Sequence, residues 1–158
     1  MNNEKHRKLA DQIRNENVGR LMLQAFRQFE RLLLINLTRT GYGDLRMSHL
    51  VLVRNIASDG SRLTQIAEEA GMTKQAVGNL ARELEGMGYI RRYPDPTDGR
   101  AKLVRFSGPG LEFVNHLPNV IQKTEQDLAG LIGKSEFKQL EKLLQSLILN
   151  SQKIQVDG

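Results

Sequence analysis

Between residues 15 and 39 apolar side chains return every three or four positions. Val18, Leu21, Met22, Ala25, Phe29, Leu32 and Leu33 follow i, i+3, i+4, i+7 spacing, which predicts one helix over 15–39. At about 1.5 Å per residue it would span roughly 37 Å, long for a domain of this size. GYGD at 41–44 ends it. Ser48 stands where it can cap a second helix, in which Leu50, Val51, Val53 and Ile56 mix with Arg54, and SDGS at 58–61 reads as a loop. Two helical segments follow, 64–70 and 73–87, split by GMT. YIRRY and AKLVRF then read as strands on either side of the tip PDPTDGR at 94–100. From Pro109 the helical spacing returns, with Val114, Leu117, Ile121, Leu128 and Leu131 in a stripe. Pro118 falls inside that stripe and is expected to kink or divide the helix. GKSE at 133–136 marks another break, and Phe137, Leu140, Leu144, Leu147 and Ile148 line a last helix.

The long helices at both ends carry apolar stripes that the middle segment is too small to cover. Such faces must bury against something. A second copy of the chain is the expected cover, with Phe26 and Phe29 in the shared core. The alternative is a self-contained bundle.

Residues 63–82, LTQIAEEAGMTKQAVGNLAR, have the spacing of a helix–turn–helix. Ala67 is small where two short helices would cross, and Gly71 sits where a sharp turn needs positive φ. Ile66, Ala70, Met72, Val77 and Leu80 supply the contacts between the helices. Thr64 and Thr73 each stand where an N-cap belongs. In the second helix Ala76, Val77, Leu80, Ala81, Leu84 and Met87 are expected to point inward. Thr73, Lys74, Gln75, Gly78, Asn79 and Arg82 are expected to point outward, where lysine and glutamine can reach base edges or phosphates in a major groove. Glu83 and Glu85 lie further along, and Gly86 and Gly88 end the helix.

A hairpin attached to such a unit is a wing. Over residues 89–106 five basic residues, Arg91, Arg92, Arg100, Lys102 and Arg105, face two aspartates, Asp95 and Asp98. Pro94 and Pro96 stiffen the tip and Gly99 allows its turn. A stiff tip loses less entropy on binding than a loose one. Asp98 is placed to pair with Arg100 or Arg82, or to accept turn N–H groups, and so to aim Arg100 outward. An arginine aimed in this way suits a narrow, negative minor groove.

Residues 63–110 resemble the multiple-antibiotic-resistance regulator (MarR) family in order and spacing, with DGR at 98–100 similar to its Asp-x-Arg wing motif. The resemblance implies a mainly α fold with a small β-hairpin wing, a winged helix–turn–helix domain plus interlocking N- and C-terminal dimerisation helices. It also implies a single domain over 1–158, with dimerisation helices at 15–39 and 109–152 and the winged region at 45–107. The function implied is that of a homodimeric transcription regulator, a repressor on a pseudo-palindromic duplex. On this reading Thr73, Lys74, Gln75, Asn79 and Arg82 face DNA from the helix, Arg100 and Lys102 from the wing, and Asp98 positions Arg100. The sequence departs from the family at Gly78, where a hydroxyl residue is common, at Asn79, where a basic one often sits, and at Gly99, which replaces a frequent arginine. Those departures favour the alternative, a protein-interaction module on the same scaffold with DNA binding lost. The family also implies a small aromatic or anionic effector. Tyr42, Arg46 and His49 are the candidates to meet it, against the reading that they bind nothing.

Composition narrows the remaining classes. At 26% charged and 39% hydrophobic the chain is a folded, soluble type, and its net charge of +5 permits a polyanionic partner without demanding one. There is no cysteine, which excludes disulfides, thiolate metal sites and cysteine nucleophiles. His6, His49 and His116 lack ligand spacing, so no metal is expected. With no phosphate loop, paired carboxylates in a cleft or Ser/His/Asp arrangement, neither an enzyme nor a cofactor is expected. The polar start MNNEKHRKLADQIR has no signal-peptide core, and no run approaches the ~18 apolar residues of a membrane span. The expectation is a cytoplasmic protein with no membrane contact.

Overall fold

The computed structural model describes residues 17–151, together with Glu4 and His6. Among the described residues 17–151, six helices and three strands follow in order: α1 Val18–Arg39, α2 Met47–Val53, β1 Ser61–Arg62, α3 Leu63–Glu69, α4 Lys74–Gly86, β2 Ile90–Asp95, β3 Asp98–Phe106, α5 Gly108–Ile132 and α6 Lys134–Ser151. This is the mainly α fold with a hairpin wing that the sequence predicts. Residues 15 and 16 of the expected first helix, and residue 152 of the last, lie outside the described residues.

The chain divides into two compact units, one of residues 33–120 and the other of residues 1–32 with 121–158. In the first, Leu37, Leu52, Ile66, Val77, Leu84, Ile90, Val104 and Phe113 are fully buried. Each such side chain contributes about 1.5–3 kcal/mol relative to exposure. In the second, the described part of the helical stripes faces outward. Val18, Leu21, Met22, Leu23 and Phe26 of α1 are exposed, and so are Leu140, Leu143, Leu144, Leu147, Ile148 and Leu149 of α6. No described residue of α6 is buried within the single chain.

Three expected boundaries move. Ser48 does not cap α2. The cap residue is Arg46, whose backbone N–H donates to His49 Nδ1 at 3.1 Å, so the helix has begun by Met47. Thr64 does not cap α3 either. β1 runs directly into that helix, and Arg62, extended at φ −73° and ψ 141°, is both the end of the strand and the cap. Pro118 does not divide α5, which continues through it to Ile132. The proline removes one backbone donor from a helix of 25 residues, while Phe113 and Val120 on either side of it are buried.

The sheet has one strand more than the hairpin. Its order is β1-β3-β2, all antiparallel, with Arg92 opposite Val104, Pro94 opposite Lys102 and Arg62 opposite Leu103. The register breaks between Pro94 and Asp95, at the tip. Ser61, assigned to a loop from sequence, is in β1 and buried.

Candidate nucleic-acid interface

The turn between α3 and α4 is built as its residues require. Gly71 takes φ +63°, and the Met72 N–H returns to the Ala67 carbonyl at 2.9 Å. Thr73 caps α4, its Oγ1 accepting the Ala76 N–H at 3.2 Å. Beyond the cap the helix sorts its faces. Val77, Leu80, Ala81 and Leu84 are buried against the rest of the unit, with Ala76 and Met87 half-buried. Thr73, Lys74, Gln75, Asn79 and Arg82 are exposed. Arg82 turns back along its own helix, its Nε donating to the Gly78 carbonyl at 3.3 Å and its Nη2 to Asn79 Oδ1.

The two carboxylates of α4 are held by neighbouring elements. Glu83 accepts from His49 Nε2 at 2.8 Å and from the Arg46 guanidinium, both at the start of α2. The His49 and Arg46 hydrogen bonds hold its carboxyl below the ordinary range. Because His49 Nδ1 accepts the Arg46 backbone N–H, the ring proton sits on Nε2 and is donated to Glu83. Glu85 pairs with Arg92 Nε of β2 at 3.0 Å. Sequence placed both glutamates on the helix but gave no partner for either.

The wing is braced from its root. Asp95 accepts the Thr97 N–H at 2.8 Å, the Thr97 hydroxyl at 2.7 Å and Arg62 Nε at 2.6 Å. The Thr97 hydroxyl first, then the Thr97 N–H and Arg62, pull the Asp95 carboxyl down to about 2. Asp98 stands opposite Asp95 across the tip, and its charge adds to that of Asp95 in stabilising the Arg62 cation. Asp95 gathers the turn and ties it to β1, and sequence singled out neither Arg62 nor this pairing. Thirty-three positions separate the two residues, and no local pattern links them. The side chain of Arg100 lies outside the described residues. Lys102 and Arg91 are exposed, while Arg105 lies over the Tyr93 ring at 5.5 Å.

The effector candidates divide. Tyr42 packs into a ring cluster with Phe113 at 5.0 Å, His116 at 5.6 Å and Tyr89 at 6.4 Å between centroids. The Tyr89 hydroxyl donates to Asp44 at 3.2 Å, and burial with the nearby Asp44 charge pushes it up to about 12. His49 is fully buried and, with Arg46, turned to Glu83. Among the described residues no group of three His, Cys, Asp or Glu side chains is arranged to hold a metal, and no helix is long and apolar enough to cross a membrane.

A capped second helix with a polar outer face, joined to a braced hairpin, defines a winged helix–turn–helix protein. Residues 44–101 match the model of the MarR family, and the chain carries the fold of MarR. The apo form of MarR from E. coli superposes with a TM-score of 0.68 at 22% identity, covering 83% of this chain and 96% of that one. A probable transcriptional regulator from Pseudomonas aeruginosa matches at 0.66 and 22%, covering 84% and 98%. MepR of S. aureus, in a structure of its complex with DNA, matches at 0.63 and 22%, covering 85% and 98%.

Proposed function

We propose that the chain is a cytoplasmic, homodimeric transcription regulator that represses by occupying a pseudo-palindromic duplex site. Each α4 enters a major groove and each wing the adjoining minor groove, with half-sites about 10 bp apart. The observation that carries this reading is the sorting of α4, with Thr73, Lys74, Gln75, Asn79 and Arg82 exposed opposite a sealed apolar face. Lys102 and Arg100 contribute from the wing, and Asp98 helps to aim Arg100. MepR, which shares the fold, has been solved in complex with DNA, and this supports DNA as the partner. The exposed leucines of α6 and apolar residues of α1 support a second copy as their cover.

A small aromatic or anionic effector that releases the duplex belongs to the same reading. The ring cluster around Tyr42 supports an aromatic one, with Arg46 and His49 nearby in sequence. The test is a mobility-shift selection of fragments from the source genome. Discrete fragments should be retained by the dimer, with affinity falling as salt rises. A chain that is dimeric yet holds no fragment above random duplex would end the proposal.

A further inference from the structure

Some glycines of the winged unit are dictated by the chain itself. Gly71 needs its positive φ, and a Cβ on Gly110 would run into the Tyr89 carbonyl. Gly78 is required by neither argument. It lies inside α4 without positive φ, and no heavy atom beyond its own stretch of helix comes within 4 Å of where a Cβ would stand. Alanine would fit there and is the better helix former. The position is also particular. Gly78 is one turn from Lys74 and one turn from Arg82, and three residues from Gln75, so bare backbone occupies the middle of the outward face. The Arg82 guanidinium rests against the Gly78 carbonyl and Asn79, leaving Gly78 half-buried, yet the place of a Gly78 Cβ stays open. Bare backbone admits a partner closer than any Cβ allows.

We propose that Gly78 is the point of closest approach between α4 and the base edges on the floor of a major groove. This rests on the reading of α4 as the groove helix. It assigns to Gly78 a part in selecting sequence, and it turns a departure from the family pattern into a fitted contact. Seating against base edges requires closer contact than loose electrostatic attachment to phosphates, so the two kinds of binding respond differently to one added methyl.

The experiment selects duplex sites from a random pool with the full wild-type chain. It then compares wild type, G78A and G86A on a selected site and on random duplex by fluorescence anisotropy at fixed salt, with thermal melts alongside. Gly86 is the control, because it is on the same helix and equally open. G78A should melt about 2–4 °C higher than wild type. Its affinity for the selected site should fall at least tenfold, while affinity for random duplex changes less than twofold. G86A should bind the selected site as wild type does. Unchanged binding by G78A overturns the proposal, as does an equal loss on both duplexes or a lower melting temperature, which would show that the fold itself demands the glycine. If wild type selects no duplex, the functional reading fails first and this inference falls with it.

Discussion

Arg62 Nε donates to Asp95 Oδ2 at 2.6 Å, tying the two-residue edge strand to the tip of the wing. Arg62 is also the residue from which α3 starts. R62A should therefore loosen the wing without unfolding the core. The expected result is unchanged helical circular dichroism with about tenfold weaker binding to a selected duplex, read by anisotropy.

Asp95 also gives a stability signature in acid. Its carboxyl lies at about 2 in the folded chain, below the ~3.9 of an unfolded aspartate. A group depressed by folding stabilises the native state above its unfolded pKa and loses that contribution as pH falls through the folded value. D95N should be less stable than wild type at pH 7, and the gap should close between about pH 5 and pH 2. Chemical denaturation across that window is the measurement. A constant gap would show that the charge of Asp95 is not its source.

His49 joins α2 to α4 from a fully buried position. H49A removes the acceptor of the Arg46 N–H and the donor to Glu83, and opens a cavity. It should cost about 2 kcal/mol, or roughly 4–8 °C in Tm for a chain of this length. A smaller shift would mean that the Arg46–Glu83 pair and the apolar packing of Leu52 and Leu84 hold the helices without the imidazole.

Lys74 and Arg100 should fail differently. K74A, read as loss of a phosphate contact, should weaken all duplexes alike and lower the slope of log affinity against log salt by about 1. R100A, read as loss of a groove contact, should cost ~1–3 kcal/mol on the selected site. Binding isotherms at four salt concentrations separate the two.

The apolar face of α6 gives the oligomeric test. Leu144 and Leu147 are exposed in the single chain. Changing both to Glu should convert a dimer into a monomer in light scattering after size exclusion, with loss of tight binding to the two-half-site duplex. A wild-type monomer at micromolar concentration would contradict the proposed assembly.

The helix–turn–helix was legible because its signals are local. Gly71 and Thr73 act on residues within one turn, and the buried set Val77, Leu80, Ala81 and Leu84 recurs at helical spacing. β1 was not legible, since two residues carry no period. Its presence is also why Thr64 failed as a cap, because a strand feeding straight into α3 fixes the start of the helix two residues earlier. Ser48 failed for a related reason, the ring of His49 having taken the Arg46 N–H that begins α2. In the wing, charge counting found two aspartates but could not say what anchors Asp95. The anchor is Arg62, brought to the tip by a strand pairing invisible from the local pattern.

The side chains that seat α4 in the protein and those that look away from it occupy opposite sides of one rod. Mutation can therefore rewrite positions 74, 75, 79 and 82 while the fold stays intact. If the proposed docking holds, a lineage built on this scaffold is free to change its genomic address by drift, keeping the architecture and exchanging only the lettering.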